Sequence, residues 1–185
     1  SAFWISGDGA SDSLGVRYVT FGGTASTAIT ADVATRHLTI FDGQLYNSNG
    51  TARPVGTGLP TSGPVDFGTL TGLPAGAGNS PVFFDLDPNV DGPDTLYVGL
   101  ESTNILAKYT FDGTEWTAAN ALSAADAQLF GVIHLTGRVE NGQVALYASV
   151  RTDSSNAALG SSSAIVKIVD EGNGYSLSTL AVAGG

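Results

Sequence analysis

One pattern limits what this chain can fold into more than any other. An aromatic residue inside a short β-type run ending in a small residue returns four times: Phe3-Trp4-Ile5-Ser6, Leu45-Tyr46-Asn47-Ser48, Leu96-Tyr97-Val98-Gly99 and Leu146-Tyr147-Ala148-Ser149. The last three copies lie about fifty residues apart, a period expected of arrays that devote one small sheet to each repeat. The chain therefore reads as an array of similar units.

The segments around each signature repeat as well. Lys108 lies in the middle of Ile105–Phe111 and Lys167 in the middle of Ala164–Val169, and these are the only lysines. Each is followed eight positions later by an aromatic residue across a glycine turn, Trp116 after Asp112-Gly113 and Tyr175 after Asn173-Gly174. Val16-Arg17-Tyr18-Val19-Thr20-Phe21 supplies the same element in the first unit. Ahead of the later signatures stand the apolar runs His37–Phe41, Pro81–Phe84 and Val132–Leu135, two of them joined to their signature through Asp42-Gly43 and Asn141-Gly142. Such dipeptides favour two-residue hairpins because both central residues need positive φ. Each full unit thus reads inner strand, signature strand, basic strand, outer strand. In the second unit Pro54, Pro60 and Pro64 interrupt the outer half, since proline cannot donate to a ladder.

A four-stranded antiparallel sheet cannot bury both faces alone, and stacking successive sheets around an axis solves that problem. The expected fold is all-β: a β-propeller of about four four-stranded blades in one domain over residues 1–185, with approximate repeats 1–32, 33–72, 80–122 and 129–182. Because the chain opens on a signature strand, the first blade lacks its inner strand. The array is either a small ring or an arc of a larger one, and the abrupt start favours the arc. An arc leaves faces and edges open to association.

Asp94-Thr95-Leu96-Tyr97-Val98 and Asn141-Gly142-Gln143-Val144, with this periodicity, resemble secreted bacterial β-propeller proteins whose degenerate blades are of the NHL, kelch and YVTN type. The resemblance implies the fold and carries over no functional residue, because neither the kelch double-glycine set nor a Trp-Asp blade ending is present.

Seventeen acids face seven bases, giving a formal charge of −10, and the bases are scattered. That balance lacks the basic patch that nucleic-acid binding requires. No apolar run approaches the length of about twenty residues that spans a bilayer, so membrane insertion is not expected. Without cysteine there is no disulfide, thiolate zinc site or thiol catalysis. The chain has no Met even at position one, and with its low lysine and high Ser, Thr and Gly content it reads as a processed, secreted or cell-surface protein.

Three sets of residues could carry chemistry. In Asp85-Leu86-Asp87-Pro88-Asn89-Val90-Asp91-Gly92-Pro93-Asp94, oxygen ligands alternate ahead of a glycine, as they do where a short loop wraps calcium. Asp87, Asn89, Asp91 and the Pro93 carbonyl would bind, with Asp85 or Asp94 completing the shell. The closing carboxylate of such loops is absent, Val98 and Thr95 standing at the two places it could occupy, and a hairpin capped by its own carboxylates fits the same residues. His37-Leu38-Thr39 and His134-Leu135-Thr136 repeat on inner strands and could face a common channel, where the third inner strand offers Phe83 or Phe84. Asp8, Asp12, Glu101, Asp126 and Asp153 fall in loops of the face where propeller ligands sit. No Gly-x-Ser-x-Gly elbow and no phosphate-cradling loop is found.

The function expected is a non-catalytic binding or assembly module. It would contact a protein, a glycan or copies of itself through a propeller face or its blade edges. The alternative is a secreted propeller enzyme that cleaves glycosides or esters and uses calcium. No other cofactor is implied.

Overall fold

A computed structural model describes residues 1–7, 14–31, 34–76, 78–101, 104–152 and 163–183. They form four antiparallel sheets in chain order. The first comprises β1 (Ala2–Gly7), β2 (Gly15–Thr20) and β3 (Thr27–Ala28); the second, β4 (His37–Phe41), β5 (Gln44–Ser48) and β6 (Ala52–Pro54). The third comprises β7 (Asn79–Phe84), β8 (Thr95–Gly99), β9 (Asn104–Phe111) and β10 (Trp116–Ser123). After a short helical turn, α1 (Ala124–Ala127), the fourth is built from β11 (Gly131–Glu140), β12 (Gln143–Arg151), β13 (Ser163–Asp170) and β14 (Tyr175–Val182). Within every sheet the strands follow one another as neighbours.

Turn chemistry sets the registers. Asp42 and Gly43 both have positive φ, as do Asn141 and Gly142, so the β4–β5 and β11–β12 hairpins close in two residues. In the second sheet the proline-rich segment beyond β6 keeps only an isolated bridge, Val55 to Phe67, in place of a fourth strand.

The signature strands set how the sheets stack. Successive side chains of a strand point to opposite faces, so the aromatic and its two neighbours part company. Trp4, Tyr46 and Tyr97 each pack toward the sheet that follows in the chain. Leu45, Leu96 with Val98, and Leu146 with Ala148 pack toward the sheet that precedes. Three apolar clusters result among the described residues, one for each junction between consecutive sheets. Along one edge of the stack β4 packs beside β1, β7 beside β4, and β11 beside β7.

The small residue that ends each of the first three signatures lies where the next sheet approaches. Ser6 Oγ donates to the Arg36 carbonyl and Ser48 Oγ to the Gly78 carbonyl. A Cβ on Gly99 would stand 2.6 Å from Val132 Cγ1. Backbone bonds repeat beside them: Thr35 N to Gly7 O at 3.0 Å, Gly78 N to Gly50 O at 3.0 Å and Val132 N to Leu100 O at 2.9 Å. By this criterion β1 is the equivalent of β5 and β8, and among the described residues the first sheet shows no counterpart of β4 or β7.

Asn47 breaks the pattern. It occupies the place taken by Ile5, Val98 and Ala148 in the other units, is fully buried, and neither end of its amide has a hydrogen-bond partner among the described residues. Burying such a group costs roughly 1–3 kcal/mol. Asn47→Val should therefore raise the unfolding free energy by about 1 kcal/mol in urea denaturation; a loss of stability would mean that the amide is satisfied.

Candidate functional site

The three backbone bonds that join one sheet to the next, at Thr35, Gly78 and Val132, fall two residues ahead of His37, Ser80 and His134, and those three side chains meet. The His37 and His134 rings lie 5.2 Å apart between centroids, edge to face at 70°. Ser80 Oγ is 3.0 Å from the Ile133 carbonyl and 3.1 Å from His37 Nδ1. A carbonyl can only accept, so the one Ser80 hydroxyl proton goes to Ile133, and Ser80 accepts from His37 Nδ1–H. In neutral His37 the lone pair is then on Nε2. This arrangement is the reverse of an activated serine, whose proton must be directed at the imidazole. Ser80 is buried and adopts a left-handed φ of 49° at an irregularity in the β7–β8 register.

The two histidines separate two recesses. On one side a mouth of about 360 Å³ is lined by Ser6, Thr35, Arg36, Asn79, Glu101 and Ile133 along with the rings, so all four sheets contribute to it. On the other, a groove of about 330 Å³ runs between β4, β7 and β11, lined by Leu38, Thr39, Pro81, Val82, Leu135 and Thr136. Burial lowers the His37 pKa below its usual 6.5; the neighbouring His134 and Arg36 lower it further, and Glu101 partly offsets them. Arg151 donates to Glu101 at 2.9 Å.

The sequence puts His37 and His134 on strands from which they could face a common channel; in the structure their rings lie edge to face. The third inner strand contributes Ser80 rather than Phe83 or Phe84, which are buried in two different junctions. Among the loop acids, Glu101 reaches the mouth. Asp126 instead lies in the first turn of α1, where its N–H donates to Oγ of Ser123, the residue that caps the helix, and its carboxylate accepts from the same hydroxyl. Asp8, Asp12 and Asp153 lie outside the described residues.

In the acidic loop, Asp94 is buried and its carboxylate accepts from the Leu86 and Asp87 N–H groups at 2.6 and 2.7 Å and from the Thr95 hydroxyl at 2.6 Å. Asp87 accepts from the backbone and side-chain nitrogens of Asn89, which hold its pKa low. Asp85, Asn89 and Asp91 are exposed, and no three His, Asp or Glu side chains are gathered to hold a metal among the described residues. The two carboxylates with hydrogen-bond partners in this loop act as turn caps.

Sequence reasoning missed a second polar cluster. Tyr97 OH and Lys108 Nζ both donate to Asp170 Oδ2, at 2.5 and 2.7 Å, and Gly172 N donates to Oδ1 at 2.7 Å. Burial pushes the Asp170 pKa up, and the bonds from Lys108, Tyr97 and Gly172 together outweigh it and leave it lowered. Burial, then the bond to Asp170, raise that of Tyr97. The fourth sheet repeats the trio with an acid of its own: Lys167 and Tyr147 donate to Glu140, as does Arg138, and they hold its pKa at about 2. The repeated Tyr-opposite-Lys pairing was the available signal.

No protein-family model, curated protein or solved structure matches this chain.

Two outcomes follow from these clusters. Asp170→Asn leaves Lys108 without its buried partner and should cost about 3 kcal/mol, while Glu140→Gln, in a more open cluster, should cost clearly less; equal losses in denaturant titration would contradict the difference in burial. His37 binds a proton less readily folded than unfolded, so its contribution is fully present above the unfolded pKa of 6.5 and is lost as pH falls below it. The melting temperature should drop between about pH 7 and pH 5, ahead of the carboxylate range, and His37→Gln should flatten that drop.

Proposed function

We propose that this chain is a propeller-type blade array serving as a non-catalytic binding and assembly module in an extracellular or cell-surface setting. The observation that carries the reading is the state of its two end sheets. Each internal junction takes an aromatic from one signature strand and aliphatic side chains from the next. At the start of the array, Phe3 and Ile5 point the way Leu96 and Val98 do, yet they are 45% and 40% exposed. At the other end, Tyr147 and Lys167 stand where Tyr97 and Lys108 stand, with Ile165 exposed on the same face.

The two faces are the halves of one junction, and a second copy of the chain carries both. Stacking one copy's first sheet on another's last is a head-to-tail contact, which propagates or closes according to its rotation. The formal charge of −10 opposes close approach of copies, so salt should favour the contact. Sedimentation equilibrium tests it. The mass should rise with concentration and with ionic strength, and Ile5→Asp should return the chain to monomer. A wild-type monomer at high concentration and high salt would end the proposal.

A further inference from the structure

We propose that the mouth where the four sheets meet is a binding site for a small oxyanion, a carboxylate or phosphate group, held against His37 and His134. Its volume, about 360 Å³, is at the lower end of the range of ligand pockets and suits a molecule the size of a single sugar. Its lining differs in charge from the rest of the molecule. In a chain of formal charge −10, the mouth gathers Arg36, both histidines and, through Glu101, the guanidinium of Arg151. Among the described residues Glu101 is the acid that lines it, and its carboxylate is engaged by Arg151 at 2.9 Å. Polar groups of Ser6, Thr35 and Asn79 ring the same space.

The fixed tautomer of His37 gives the site its chemistry. Nδ1–H is committed to Ser80, whose own proton is committed to Ile133, so an added proton goes to Nε2 and makes it a donor. Burial and the charges of His134 and Arg36 oppose that proton. An anion in the mouth supplies the countercharge, so anion binding and proton uptake favour each other reciprocally. Among the described residues, the charged and titratable groups around the pair are Arg36 on the approach to β4, Glu101 after β8 and Arg151 at the end of β12.

Histidine side-chain NMR of the whole chain tests this with glucuronate and inorganic phosphate as probes and glucose as the neutral control. Saturable shifts of both histidines are expected with at least one anion, roughly tenfold tighter at about pH 5.5 than at about pH 7.5, and none with glucose. A response to phosphate alone assigns a phosphate group, and a response to glucuronate alone a carboxylate. His134→Gln, checked for folding by its unchanged amide spectrum, should weaken the response at His37. No saturable shift with either anion, an equal response to glucose, or affinity indifferent to pH would overturn the proposal.

Discussion

The alternation of side chains along the four signature strands is the constraint on which the rest of the structure depends. A strand presents neighbours to opposite faces, so one aromatic directed forward forces its aliphatic neighbours backward. Aromatics such as Trp4, Tyr46 and Tyr97 bury large areas and supply much of the junction energy. Their polar tips add direction: Trp4 Nε1–H donates to the Pro60 carbonyl of the following segment, and Tyr97 OH to Asp170 of the following sheet. Tyr147 OH bonds Glu140 of its own sheet. The same stacking draws the ends of three inner strands together and so creates the His37–Ser80–His134 contact.

Much of this was legible along the chain because it is local. Glycine turns, short apolar runs and the aromatic eight residues beyond each lysine place the strands, and Trp116 and Tyr175 do open β10 and β14. The prolines of the second unit explain its missing fourth strand through the loss of ladder donors. The repeated His-Leu-Thr motif placed two imidazoles at equivalent positions, and equivalence in a stacked array brings them close.

What was hidden depends on partners distant in sequence or on backbone groups. Lys108 finds Asp170 sixty-two residues later, a pairing that no local pattern encodes. Ser80 escaped notice because Phe83 and Phe84 dominate its strand, and its role comes from the bond ahead of β7 rather than from a motif. Asp94 has the spacing of a ligand, but the backbone N–H groups that occupy it cannot be read from side chains. Glu101 was one of five loop acids, and only the meeting of the four sheets brings it to the mouth.

The central claim is that the exposed end faces are two halves of the junction found three times inside the chain. The absence of cysteine makes a direct measurement possible. Cysteines placed at Ile5 on the first sheet and Ser149 on the last can be oxidised and the products separated by mass. A disulfide joining different copies, formed at low protein concentration and abolished by Tyr147→Asp, is the expected result. Disulfides formed only within one chain, or crosslinking no faster than between cysteines on an unrelated surface, would contradict it.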